Sequence, residues 1–131
     1  MRADSMRMEF KIALAGIVGA IAVAFAARGA TTADAVAGRA VFEQCAACHS
    51  IDGNTGVGPT LRGVVGRKAG TVPGFRYSRA MKSATLAWDE KTLDGYLADP
   101  QKVVPGNLMP FSGLPDEKQR ADLIGYLATL Q

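Results

Sequence analysis

The chain has 131 residues, two cysteines and a formal net charge of +3, and this length leaves room for one small domain behind a targeting segment. From Val36 onward, eleven Lys and Arg residues stand against nine Asp and Glu residues, so the positive excess there is only two charges. No basic run is interleaved with aromatic residues, which excludes a nucleic-acid-binding surface.

The first 35 residues predict an export signal. An uncharged run from Ile12 to Ala27 covers 16 residues and would span about 24 Å as a helix, less than the roughly 30 Å of a bilayer core. Ala24 to Ala26 and Ala33 to Ala35 are the candidate cleavage sites. We therefore expect residues 1–35 to be the signal peptide of a periplasmic protein, with an uncleaved membrane anchor through residues 12–27 as the less favoured alternative.

In chain order, the first part of the exported domain predicts one helix followed by loops. Apolar residues recur at helical spacing from Ala35 to Ala47, so a helix is expected to run into the two cysteines. Residues 52–66 are dense in glycine, which excludes a long element there. Arg76 to Lys82 predicts a short helix.

Two further helices are predicted towards the C-terminus. Asp89 is the expected N-cap of a helix that Pro100 stops. After a loop from Pro105 to Pro115, Asp116 is the expected cap of the last helix, whose apolar stripe consists of Leu123, Ile124, Leu127 and Leu130. No strand pattern competes, so residues 36–131 predict one all-α domain with little apolar material at its centre.

The segment Cys45-Ala46-Ala47-Cys48-His49 matches the pattern Cys-x-x-Cys-His. Two thiols at this spacing can reach the two vinyl groups on one edge of a porphyrin, and the adjacent imidazole can then bind the iron. A thioredoxin-like redox pair would need a βαβ context, and a structural zinc site would need a fourth ligand. The motif therefore predicts one covalent haem c, held through Cys45 and Cys48 with His49 on the iron.

The second axial ligand is expected to be a methionine by elimination. His49 is the one histidine of the chain, and past the leader only Met81 and Met109 carry thioethers. Met109 lies in a proline-flanked stretch, Pro105 to Pro110, that can hold a sulfur in place. Met81 falls on the predicted short helix, where an ordinary packing role is favoured.

Iron between His49 and Met109 has no open position for dioxygen or peroxide, and thioether ligation stabilises its ferrous state. Such a site suits the transfer of single electrons, and we expect no enzymatic activity. The alternatives are a haem peroxidase-like enzyme, which would need an open sixth position, and a ligand-sensing haem domain, which would need a fused effector segment.

These residues, in this order, resemble the class I cytochromes c, which comprise the mitochondrial type and its bacterial relatives in respiration and photosynthesis. The resemblance runs from Gly38 to the C-terminus. It implies the cytochrome c fold, with small helices around one haem and with the N-terminal helix, at Gly38 and Phe42, crossing the C-terminal helix near Leu123 and Tyr126. It also implies a monomeric carrier of electrons.

The resemblance assigns further residues to the haem pocket. Pro59 corresponds to the proline whose carbonyl accepts a hydrogen bond from the haem histidine. Tyr96 corresponds to the tyrosine that tunes the ligating sulfur, and Phe111 to the aromatic residue beside the exposed haem edge. Donors to the haem propionates are implied at Arg67, Tyr77 and Trp88.

Departures from the family concern tuning and docking. Met81 stands where many relatives carry asparagine, and Asn107 where threonine is usual. The lysines that dock redox partners are few, with Lys102 retained and Leu108 at a place that is often basic, so electrostatic steering is expected to be weak. The partners implied are a quinol-oxidising cytochrome bc-type complex and a terminal oxidase, a reaction centre or a periplasmic dehydrogenase.

Overall fold

The structure is a computed structural model that describes residues 32–131. Five α-helices make up its regular structure: α1 (Ala35–Ala46), α2 (Arg79–Ser83), α3 (Glu90–Ala98), α4 (Pro100–Val103) and α5 (Glu117–Ala128). These residues form no strand and only one isolated antiparallel bridge, between Lys68 and Ala87. The predicted all-α fold is confirmed.

Of the predicted signal peptide, residues 1–35, the first 31 residues lie outside the described part of the chain, and so does the alternative anchor, residues 12–27. Among residues 32–131, none of the helices has the length and apolar character needed to cross a membrane.

Side-chain caps explain where the longer helices begin. Asp89 and Asp116, both predicted as caps, each accept a backbone N–H of the first helical turn at 2.7 Å. Asp34 does the same for α1, at 2.9 Å from the nearer of two amides. These contacts satisfy N–H groups that have no partner within the helix. Because Asp34 is the cap, the folded unit includes residues before the boundary predicted at 36.

The structure differs from the predictions at the two short helices. Pro100 follows the end of α3, as predicted, but it also begins α4. A proline fits the first helical turn because the N–H that it lacks would have no partner within the helix. The helix predicted from Arg76 begins only at Arg79, because the Ser78 hydroxyl accepts the Met81 N–H at 3.0 Å and caps it there.

The predicted crossing of the terminal helices places the backbones of α1 and α5 in direct contact. A Cβ on Gly38 would overlap the Asp122 carbonyl oxygen and lie 2.8 Å from the Tyr126 Cβ. The Phe42 and Tyr126 rings pack beside this point with their centroids 5.6 Å apart, and Leu123 is almost completely buried. Glycine is required at position 38 because any side chain would separate the two helices.

A buried carboxylate ties the start of α1 to α5. Asp122 accepts the Asp34 N–H at 2.7 Å and a hydrogen bond from Lys118 Nζ at 2.5 Å. The Lys118 hydrogen bond, followed by that of the Asp34 amide, lowers the pKa of Asp122. Ala33 packs on the same helix, where a Cβ on Gly125 would come within 2.8 Å of the Ala33 Cβ.

The loops between α1 and α3 are held by backbone hydrogen bonds across the domain. The Trp88 N–H donates to the Arg67 carbonyl and the Gly66 N–H to the Trp88 carbonyl, both at 2.9 Å. The Ala69 N–H donates to the Leu86 carbonyl, also at 2.9 Å. This pairing lets irregular backbone lie beside the core without unsatisfied polar groups.

The crossing can be tested with two helical glycines. Gly38→Ala should lower the free energy of unfolding by roughly 2–3 kcal/mol, because the added methyl group must push α1 and α5 apart. Gly95→Ala in α3 is the matched control, since its Cβ would lie an ordinary 3.6 Å from Val103 Cγ2, and it should be neutral or stabilising by up to about 1 kcal/mol. Urea unfolding that shows equal losses in both variants would contradict the crossing.

The lowered pKa of Asp122 predicts a pH dependence of stability. Its carboxylate stabilises the fold at pH values above the ordinary value of 3.8, and this contribution is lost as the pH falls from there through the lower folded-state pKa. Asp122→Asn keeps an acceptor for the Asp34 amide but carries no charge. Urea unfolding should show the variant less stable at about pH 7 and losing less stability than the wild type between about pH 5 and pH 3. Parallel curves would refute the role of Asp122.

Candidate cofactor site

A cavity of about 470 Å³, partly open to solvent, lies between α1, α3, α5 and the loops. Its helical wall is apolar, with Leu93 and Leu97 from α3 and Leu127 from α5. The structure brings all the residues singled out in the sequence to this one cavity: Cys45, Cys48, His49, Pro59, Arg67, Tyr77, Trp88, Tyr96, Met109 and Phe111. A volume of this size, with apolar walls and a few polar groups, is typical of a cofactor site.

The two thiols lie at the end of α1. Cys45 is in the last turn of the helix, whereas Cys48 is in the tight turn that follows, with its N–H donated to the Cys45 carbonyl at 3.1 Å. Both are half-buried free thiols. Burial, and secondly the neighbouring Cys48, raises the pKa of the Cys45 thiol. Both sulfurs are therefore available for covalent attachment at one edge of the cavity.

The imidazole of His49 is held in one orientation by backbone groups. Its Nδ1 lies 2.7 Å from the Pro59 carbonyl oxygen, which can only accept, so Nδ1 carries the proton and Nε2 keeps a lone pair. Gly58 packs against the ring, because a Cβ there would approach Cε1 to 2.5 Å and Nδ1 to 2.7 Å. The resemblance predicts this carbonyl contact, and it prepares Nε2 to bind a metal.

Both methionines past the leader line the cavity, but their settings differ. Met109 lies in the loop between α4 and α5, and its Sδ receives a hydrogen bond from the Tyr96 hydroxyl at 4.0 Å. Burial raises the pKa of Tyr96 to about 12, so its hydroxyl remains a donor at neutral pH. Met81 lies on α2, and both methionine side chains pack against the hydrophobic core, so the hydrogen bond from Tyr96 is what distinguishes Met109.

The three residues implied as propionate donors stand at the cavity with different existing contacts. The Arg67 guanidinium already donates to the Arg62 and Thr60 carbonyls, at 2.9 and 2.8 Å, and burial lowers its pKa. Trp88 is buried edge-on against the Tyr96 ring at a centroid distance of 4.8 Å. The Tyr77 hydroxyl accepts the Val72 N–H at 3.2 Å, which leaves its proton available for donation.

Sequence reasoning did not assign several residues that line the cavity. Asn107 was noted only as a departure from the family, yet its side chain is buried in the Met109 loop. Arg76 and Ser78 add polar groups to the wall, and Val57 and Leu108 line it while being 77% and 80% exposed. Arg76 lies directly beside Tyr77 in the chain, so adjacency was the available signal for it. The other residues, Asn107, Ser78, Val57 and Leu108, reach the cavity through the packing of the loops, and loop packing leaves no local pattern in the sequence.

The groups at the cavity fit a haem c. Two thiols can form thioethers, a neutral imidazole and a thioether sulfur can bind iron, and the apolar wall matches the porphyrin face. The close packing of Gly58 on the His49 ring leaves one position for the imidazole. Apart from the thiols and sulfur, the polar groups are few and mostly hydrogen bond donors, which suits a cofactor whose own charged groups are carboxylates.

The sequence and the structure are similar to known cytochromes. The family model described as cytochrome c matches residues 35–131. Cytochrome c2 of Rhodomicrobium vannielii is 48% identical over 121 residues, which cover 91% of this chain and 94% of that protein. Cytochrome c2 iso-2 of Magnetospirillum molischianum is 52% identical over 100 residues, covering 76% of this chain and all of that protein. The structure of cytochrome cH from Methylobacterium extorquens matches with a TM-score of 0.71 and 49% identity over 73% of this chain and 98% of that chain.

These similarities support electron transfer rather than the peroxidase or sensor alternatives, and they imply a covalent haem c on Cys45 and Cys48. The chain belongs to the cytochrome c family and is a haem-containing carrier of electrons, not an enzyme.

Proposed function

We propose that His49 and Met109 are the two axial ligands of the haem iron, and that the protein shuttles single electrons in the periplasm. Its partners are then a quinol-oxidising cytochrome bc-type complex and a terminal oxidase, reaction centre or dehydrogenase. The observation that carries the proposal is that each ligating side chain lines the cavity with Cys45 and Cys48 and is held by a hydrogen bond of its own.

The bond from His49 Nδ1 to the Pro59 carbonyl supports the first ligand. It excludes the tautomer with a proton on Nε2, and it increases the electron density that the ring can donate through Nε2. A ring fixed in this way keeps its position when the charge of the iron changes. Little rearrangement between oxidation states is what rapid electron transfer requires.

The bond from the Tyr96 hydroxyl supports Met109 rather than Met81 as the second ligand. A donor on the sulfur withdraws electron density from it, and this disfavours the ferric state relative to the ferrous state. When bound, the haem supplies a one-electron couple between these two states. The apolar side chains of Leu93, Leu97 and Leu127 exclude water from the cavity wall, and a dry site keeps the potential high.

Three polar residues that line the cavity, Arg67, Tyr77 and Trp88, would stabilise the haem propionates. Tyr77 and Trp88 each have a donor for a carboxylate, and Arg67 contributes a positive charge whose position is fixed by its bonds to backbone carbonyls. Carboxylates next to a buried porphyrin are costly without such partners.

The periplasmic location is supported by the leader-like segment from Ile12 to Ala27 and by the similarity to bacterial proteins named cytochrome c2. The surface near the cavity supports docking that depends little on charge. Among the exposed residues that line the cavity, Gln44, Val57 and Leu108 are uncharged, and Arg76 contributes one positive charge. Electrostatic steering of an acidic partner is therefore weak.

Replacing the proposed sulfur ligand tests the axial assignment. Met109→Ala should lower the reduction potential by roughly 100–300 mV, because the ferrous state loses its thioether, and the iron should then bind imidazole or cyanide readily. Met81→Ala is the matched control, since Met81 lines the same cavity, and it should retain the wild-type ligation spectrum. Redox titration and absorption spectra measure both effects. If Met81→Ala rather than Met109→Ala removes the ligand, the assignment is wrong.

A charge introduced beside the cavity tests the docking surface. Leu108→Lys should accelerate oxidation of the reduced protein by anionic ferricyanide severalfold at low salt, and the gain should disappear at high salt. Val36→Lys is the control, because Val36 is 83% exposed but does not line the cavity. Stopped-flow rates over a series of salt concentrations measure the effect. An equal acceleration by both variants would mean that only net charge matters.

A further inference from the structure

A buried side-chain amide organises the loop that carries Met109. Asn107 is 5% exposed. Its Nδ2 donates to the Pro100 and Val104 carbonyls, each at 3.0 Å, and its Oδ1 accepts the Met109 N–H at 3.0 Å. Each polar atom of the amide therefore has a protein partner, and the partners lie at the start of α4, just past its end and in the loop.

A second amide closes the same loop from outside. The Gln101 Nε2 donates to the Asn107 carbonyl at 2.9 Å, and its Oε1 accepts the Gly106 N–H at 3.0 Å. Gly106 has a φ of +84°, so the chain reverses here in a conformation that favours glycine. Gln101 and Asn107 together link α4 to the backbone of the loop from Gly106 to Met109.

Apart from these amide side chains, two backbone hydrogen bonds shape the loop, from the Asn107 N–H to the Val104 carbonyl at 3.1 Å and from the Phe111 N–H to the Met109 carbonyl at 2.8 Å. Pro105 and Pro110 have no N–H to donate, and both are exposed. Leu108, directly before Met109, is 80% exposed and adds little burial. The side chains of Asn107 and Gln101 therefore supply the side-chain contacts that tie the backbone around Met109 to α4.

We propose that Asn107 and Gln101 form an amide clamp that keeps the Met109 sulfur on the haem iron. The clamp consists of positioning residues, which act through Met109 and do not bind the cofactor themselves, and the inference rests on the proposed axial ligation. Each buried hydrogen bond contributes about a fivefold factor to the ratio of closed to open loop. Three bonds from Asn107 thus favour the closed loop by roughly a hundredfold.

The test compares Asn107→Ala with a control that loses the same number of side-chain hydrogen bonds elsewhere. Arg120→Ala is that control, because Arg120 donates to the Asp94 carboxylate and to the Leu114 and Pro115 carbonyls, at the far end of the same loop. Imidazole binding to the oxidised holoprotein reports the open loop, since its apparent affinity scales with the open population. Hydrogen exchange reports the same opening without reference to the iron, provided that each variant is read at an amide whose acceptor it leaves in place: the Gly106 N–H, bound to Gln101, for Asn107→Ala and the Met109 N–H, bound to Asn107, for Gln101→Ala.

Asn107→Ala should bind imidazole roughly tenfold to a hundredfold more tightly than the wild type and exchange the Gly106 N–H faster by a similar factor. Gln101→Ala, an exposed position that does not threaten folding, should shift both readouts by about fivefold or more. Arg120→Ala should leave the imidazole affinity within about twofold. The clamp is overturned if Asn107→Ala and Gln101→Ala match Arg120→Ala in both readouts, or if exchange accelerates while the imidazole affinity stays at the wild-type value.

Failure of the axial assignment would give a different result. In that case Met109→Ala would bind imidazole with the same affinity as the wild type, while Asn107→Ala would still accelerate exchange of the Gly106 N–H. The clamp as a control of iron ligation would then be refuted together with the assignment, and the exchange data would show that the loop itself is held as described.

Discussion

The backbones of α1 and α5 touch at Gly38, where no side chain separates them. This contact sets the angle at which α1 reaches the centre of the domain, and the position of Cys45 in its last turn follows from that angle. The same approach brings Leu127 of α5 to the cavity wall. A wider spacing of the helices would move the thiols relative to the other residues of the site. The geometry of the site therefore depends on the lack of a side chain at Gly38.

His49 and Met109, the two proposed iron ligands, are held in place by different kinds of contact. On the histidine side, the imidazole is held by backbone, through the Pro59 carbonyl and the close packing of Gly58. On the methionine side, it is side chains that hold the sulfur-bearing loop, chiefly Tyr96 and Asn107. Backbone contacts survive most substitutions, whereas side-chain contacts change with each one. Substitutions around Met109 are therefore expected to affect the proposed ligation more readily than substitutions around His49.

Much of this arrangement could be predicted from the sequence because its signals are local. The Cys-x-x-Cys-His motif is five consecutive residues, and Asp89 and Asp116 cap their helices through amides three residues away. These interactions require only short-range geometry. The family resemblance supplies the topology. The order of Pro59, Trp88, Tyr96 and Met109 along the chain was therefore enough to predict that they line one cavity.

The remaining features depend on contacts that the periodic pattern of the sequence does not predict. Pro100 was predicted to stop a helix, and the start of α4 at the same residue depends on the capping contact of Asp99 with the Lys102 N–H. The burial of Asn107 depends on where α4 lies, because its acceptors are carbonyls at both ends of that helix. An asparagine between a glycine and a leucine has no pattern that distinguishes an exposed turn from a buried anchor.

If residues 1–35 include a cleaved leader, as the sequence predicts, the contacts of Ala33 and Asp34 bear on where the cleavage occurs. A peptidase that cut after Ala35 would take away the N-cap of α1, the amide bound to Asp122 and the methyl group that packs at Gly125. A cut after Ala26 would leave all three in the product. Of the two predicted cleavage sites, the one after Ala26 is therefore the one that preserves the link between the start of α1 and α5.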